Sequence, residues 1–132
     1  MQICKQADGA GVSGNFTFQF NTKSRSIPVG ACSLIVSVNA GTLTITEDAR
    51  AGFVVSDVYT IQADRLISED LNSRSVTVTI VPGTAASQTI VVFVNRAVTS
   101  QVITNVVSTA PRTDVRLSKN PLDVFMQLLR NL

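Results

Sequence analysis

The chain has 132 residues, the length of one ordinary domain, with 45% hydrophobic and 15% charged residues and a net charge of +2. It contains no histidine, which removes the commonest general base, the commonest zinc ligand and every Ser-His or Cys-His nucleophile pair, and so argues against an enzyme and against a metal or cofactor site. Basic and acidic residues number seven against seven over 1–98 and four against two over 99–132, scattered singly, so a nucleic-acid surface is not expected.

Val, Thr and Ser crowd the middle of the sequence, a balance that suits strands better than helices. "QICKQ" at 2–6 reads as a first short strand, on which Ile3 and Lys5 share one face and Cys4 takes the other. "NFTFQF" at 15–20 alternates strictly, with Phe16, Phe18 and Phe20 on one side. After a further stretch near 26–29, "SLIVSV" at 33–38 groups Leu34, Val36 and Val38, and "TLTITE" at 42–47 groups Leu43, Ile45 and Glu47, with turn chemistry in "NAG" between them. "FVVSDVYTI" at 53–61 is another strand, while "QADRLISEDLNSR" at 62–74 has no period of two and reads as a surface loop with one helical turn. "SVTVTIV" at 75–81 and "TIVVFVN" at 89–95 are joined by "PGTAAS", read as a hairpin loop; the second puts Val91, Phe93 and Asn95 on one side. Seven or eight short strands separated by turns predict an all-β antiparallel sandwich over 1–98.

Beyond Ala97 the alternation fades, and 99–132 reads as a C-terminal extension made of a linker and a short amphipathic helix. Asn120 would cap that helix, Pro121 and Asp123 suit its first turn, and Leu122, Phe125, Met126 and Leu129 line one face for docking on this module or on a neighbouring subunit. The Val-rich run 102–107 also suits strand addition to a neighbour's sheet edge. No signal peptide or membrane-length apolar run is visible, so an exported chain is expected to be a mature or excised piece. The "NFT" sequon at 15–17 reads as chance, and Asp64, Glu69 and Asp70 lack the ligand spacing of a calcium loop. The two cysteines, Cys4 and Cys32, lie outside any C-x-x-C spacing, which leaves a structural disulfide or two buried thiols.

Strand parity raises a sharper question. Lys5, Glu47 and Asn95 each end the apolar face of a strand, where an unpaired charge costs several kcal/mol, so they should meet one another or reach water. The bland reading is a snorkelling lysine, a glutamate opening a solvated loop and an asparagine capping the last strand. In the sharp one they meet in a dry site, burial favours the neutral amine, and the amine attacks the Asn carboxamide while the glutamate shuttles the proton.

"TITEDARAGFVV" at 44–55 resembles the T-E-x-x-x-P-x-G-Y segment of Cna-B-like domains, the prealbumin-like modules of bacterial surface adhesins and pilins, and "QICKQ" and "VVFVNRA" stand where their first-strand lysine and closing V-x-N strand stand. The resemblance covers about residues 2–97 and departs at Arg50, where Pro is usual, and at Phe53, where Tyr is usual. It implies that Lys5 and Asn95 are isopeptide partners and Glu47 the catalytic acid. "ICK", "FTFQF", "VGACSLIVSVNAGTLTITE" and "VVFVNRA" also look like Cys-containing repeat modules of the same broad fold in long exported bacterial proteins, which implies a Cys4–Cys32 disulfide. The expectation is therefore an immunoglobulin-like or prealbumin-like sandwich. It would act as a non-catalytic structural or adhesive module of a secreted or cell-surface bacterial protein, with neighbouring domains or subunits as partners. A self-assembling fibre subunit is the alternative, as is a carbohydrate- or protein-binding module, the latter weakened by one Tyr and no Trp.

Overall fold

A computed structural model describes residues 1–98 of the chain. They form eight strands: β1 (Gln2–Ala7), β2 (Asn15–Phe20), β3 (Lys23–Pro28), β4 (Gly41–Glu47), β5 (Phe53–Ile61), β6 (Leu66–Asp70), β7 (Ser75–Ile80) and β8 (Ile90–Ala97), with single 3-10 turns at Ala63–Arg65 and Ala85–Ser87. One sheet has the order β1-β8-β5 and the other β3-β2-β4-β7-β6. Strand parity explains the layering: Phe16, Phe18, Phe20, Leu43, Ile45, Val76 and Val78 of the five-stranded sheet face Ile3, Val55, Val58, Val91 and Phe93 of the three-stranded one in a single core. Phe18 and Phe93 meet across it with ring centroids 4.9 Å apart.

The all-β sandwich expected from the periodicity is the observed architecture, with four corrections. It is not wholly antiparallel, because β1 pairs with β8 in parallel; the first and last strands of the module, separated by all the others, can adjoin in that sense without a tight turn. The 82–87 loop is no hairpin: β7 and β8 belong to different sheets, and the loop crosses from one to the other. Residues 66–70 are not loop but the edge strand β6, paired with β7 alone; from Ile67 onward it is exposed, and with no inward face to bury it shows no period of two. The stretch 33–38 is not a regular strand with one buried face. Val36 is buried, whereas Leu34 and Ile35 are 87% and 62% exposed. This segment instead lies along the free edge of β1, where Ser33 donates its backbone N–H to Ile3 and Val36 donates to Met1, covering what would otherwise be an open edge.

The predicted C-terminal helix, with Leu122, Phe125, Met126 and Leu129, and the division at 98/99 fall on or against residues outside those described. Among the described residues no helix is long and apolar enough to cross a membrane.

Candidate functional site

Lys5 is fixed by the parallel β1–β8 pairing, which sets it opposite Phe93; Asn95 lies two residues further along β8, opposite Ala7 and on the same inward face. Glu47 comes from the other sheet. It is the last residue of β4 and pairs with Phe18 of β2, and its backbone is clamped from the β6–β7 turn: Glu47 donates its N–H to the Arg74 carbonyl at 2.9 Å, and Arg74 Nε donates to the Glu47 carbonyl at 3.0 Å. Two strands of one sheet and one of the other thus direct three polar side chains into the same end of the sandwich interior.

They meet there. Lys5 Nζ donates to Glu47 Oε1 at 2.7 Å, and Asn95 Nδ2 donates to Glu47 Oε2 at 2.7 Å. None of the three residues is more than 1% exposed. Lys5 Nζ lies 4.4 Å from the Phe16 ring centroid and 5.9 Å from that of Phe18, so its non-bonded surroundings are aromatic faces rather than water. Burial pushes the lysine below its ordinary pKa, against the hydrogen bond and charge of Glu47, which pull it the other way. Asn95 Oδ1 has no hydrogen-bond partner, an orphaned acceptor that costs about 1–3 kcal/mol.

A buried ion pair of this kind is weak evidence for stability, because well-packed apolar side chains of the same volume often do as well or better. What the arrangement offers is chemical. An amine, a carboxylate touching both the amine and the amide nitrogen, and an amide carbon share one dry compartment. Among the described residues no group of His, Cys, Asp or Glu is arranged to hold a metal.

Cys4, on the opposite face of β1 from Lys5, is joined by a disulfide to Cys32, 28 residues on. The two are also bridge partners in the backbone pairing of β1 with the 31–36 segment. Strand β1 is therefore tied to the covering segment on one side of its backbone and engaged with Glu47 on the other.

Two residues the sequence reading did not assign complete the site. Phe16 roofs Lys5. Its inward direction was legible in the alternation of β2, but not its cross-sheet partner. Arg50, in the β4–β5 loop, stacks on both Phe16 and Phe53, with its Cζ 4.6 and 4.5 Å from their centroids. The only sequence signal was its departure from the resembled motif.

No family model matches the sequence, and no curated protein matches it. The fold is similar to that of a bacterial adhesin from Mobiluncus mulieris containing intramolecular disulfide, isopeptide and ester bond cross-links, with a TM-score of 0.54 at 20% sequence identity. The likeness covers 74% of this chain but 40% of the adhesin chain, so this chain spans less than half of that chain.

Proposed function

We propose that residues 1–98 are a non-catalytic structural or adhesive module of a secreted or cell-surface bacterial protein, of the Cna-B-like, prealbumin-like kind, stapled by its disulfide and by a self-made amide bond between Lys5 and Asn95. One observation carries this reading: Glu47 bridges the lysine nitrogen and the asparagine amide nitrogen at 2.7 Å each in a site closed to water. The adhesin likeness supports the surface context, and the disulfide suits an oxidising compartment.

The reaction is balanced within the protein. The neutral Lys5 amine attacks Asn95 Cγ, forming the C–N bond. Glu47 takes a proton from Nζ through one oxygen and delivers it to Nδ2 through the other. The Cγ–Nδ2 bond breaks, ammonia leaves and a secondary amide remains. Burial contributes twice, by favouring the uncharged nucleophile and by excluding water that would compete for the carbonyl. The event happens once per molecule, so it is maturation rather than turnover. A cross-link between the first and last strands would join the two ends of the module directly, and a pull on either end would then run through a covalent bond instead of the β1–β8 hydrogen bonds.

Intact-mass spectrometry of the oxidised and reduced protein tests this. Wild type is expected to lack the mass of one ammonia under both conditions and to gain two hydrogens on reduction, and Lys5→Ala is expected to keep its full amide mass. Full theoretical mass for wild type under every condition contradicts the amide bond.

A further inference from the structure

The Phe16 ring has a cation at each of two positions. The buried Lys5 Nζ lies 4.4 Å from its centroid, and Cζ of the exposed Arg50 lies 4.6 Å from it. The two positive charges are therefore no more than about 9 Å apart on one ring. Arg50 is also tethered. Its Nη1 donates to the Ser13 carbonyl at 2.6 Å and to the Asn15 carbonyl at 3.3 Å, binding the loop after Glu47 to the loop before β2 and to that strand's first residue. Gly14, whose φ of +85° favours glycine, leaves room for this approach: a Cβ there would stand 3.0 and 3.1 Å from the two Arg50 terminal nitrogens. A guanidinium stays charged at any pH the protein meets, whereas an ammonium can yield its proton.

We infer that Arg50 is a positioning residue for the Lys5 nucleophile: held by Ser13 and Asn15 against Phe16 and Phe53, it places a permanent positive charge on the same ring that Lys5 faces, and so favours the uncharged amine. The inference deepens the cross-linking reading and rests on it for its purpose, though not for its test. Of the other charged groups around Lys5, Glu47 on β4 opposes the effect, and Arg74 in the β6–β7 turn acts on the Glu47 backbone. The neighbouring Asp48 is turned outward to Gln19 on β2, and what β2 and β8 offer to Lys5 itself is uncharged: Phe16, Phe18, Phe93 and Asn95. Because Arg50 is solvent-exposed its charge is partly screened, so the effect is expected to be a few tenths of a pH unit, which is about a two- to threefold change in amine fraction.

Two measurements decide it. In the full chain carrying Asn95→Ala, which cannot form the bond, the Lys5 side chain is titrated by NMR with Arg50 and with Arg50→Gln, Arg50→Lys and Arg50→Met. The neutral variants are expected to raise the midpoint by a few tenths of a unit, and Arg50→Lys to restore it. Arg50→Met keeps the apolar stem on the rings should Arg50→Gln not fold. An unmoved midpoint in the neutral variants, even with lowered thermal stability, means that Arg50 is only structural and overturns the inference. In the second measurement, chains with an intact Asn95 are made by cell-free translation, so that each starts unreacted, and sampled over time for ammonia loss by mass. Wild type is expected to react about two to three times faster than Arg50→Gln at neutral pH. Equal rates overturn the role of Arg50 alone, whereas no ammonia loss from wild type overturns the cross-linking reading itself, with the NMR titration still deciding what Arg50 does to Lys5.

Discussion

Replacing Asn95 by alanine separates a covalent role from a merely polar one by magnitude. If Lys5 and Asn95 are joined, the bond closes a loop of about 90 residues, and the loop-closure argument used for disulfides gives about 4.5 kcal/mol of stabilisation at 25 °C. In the joined protein Nδ2 has left as ammonia, so its hydrogen bond to Glu47 adds nothing and the expected loss is that of the cross-link alone. At roughly 4–8 °C per kcal/mol for a domain of this size, the midpoint should fall by about 18–36 °C. If the trio is only hydrogen-bonded, what is lost is the Nδ2 hydrogen bond to a charged Glu47, about 1.5–3 kcal/mol, and the midpoint moves by about 6–24 °C. Urea unfolding followed by circular dichroism, with the disulfide intact in both proteins, measures the difference. A loss of about 3 kcal/mol or less would refute the covalent account.

The remaining expectations are smaller. Cys4→Ser with Cys32→Ser opens a loop of 28 residues and should cost about 3–4 kcal/mol in the same urea assay, less than Asn95→Ala; an equal or larger cost would mean that the disulfide, not the Lys5 site, dominates. Asn95→Ala should also gain a pH dependence. Its folded state holds Lys5 below the ordinary 10.5, so between the lowered value and 10.5 the unfolded chain binds more protons, and stability should rise with pH through that window. Stability that falls or stays flat there would contradict the buried free amine. Finally, Leu34→Ser and Ile35→Ser should change stability by no more than about 0.5 kcal/mol, whereas Val36→Ala in the same segment should cost about 1–3 kcal/mol, because only Val36 enters the core. A large loss at Leu34 would restore the inward-facing strand that the alternation suggested.

Much of the site was legible because parity along a strand is a hard constraint. Once "NFTFQF" and "TIVVFVN" declare an inward face, Asn95 shares it with Phe93, and the same rule turns Lys5 inward and Cys4 outward. Strand β6 was illegible because an edge strand paired on one side and exposed from Ile67 onward carries no hydrophobic period. The 33–38 segment misled for the opposite reason: its apolar alternation is real, yet Leu34 lies outside and only the edge of β1 orders the backbone. The loop at 82–87 has hairpin residues but bridges two sheets, a decision made by partners elsewhere in the chain. Arg50 showed only as a departure from the resembled motif, since its stacking depends on the cross-sheet approach of Phe53 to Phe16, whose rings meet edge-on at 5.3 Å.

The bond itself is tested most directly by peptide mapping of the trypsin-digested protein with tandem mass spectrometry. The account predicts no cleavage after Lys5 and a branched peptide in which the Lys5 segment is joined to the segment holding Asn95, lighter than its parts by one ammonia. Recovery of two separate peptides, one ending at a free Lys5 and the other carrying an intact Asn95 carboxamide, would contradict it.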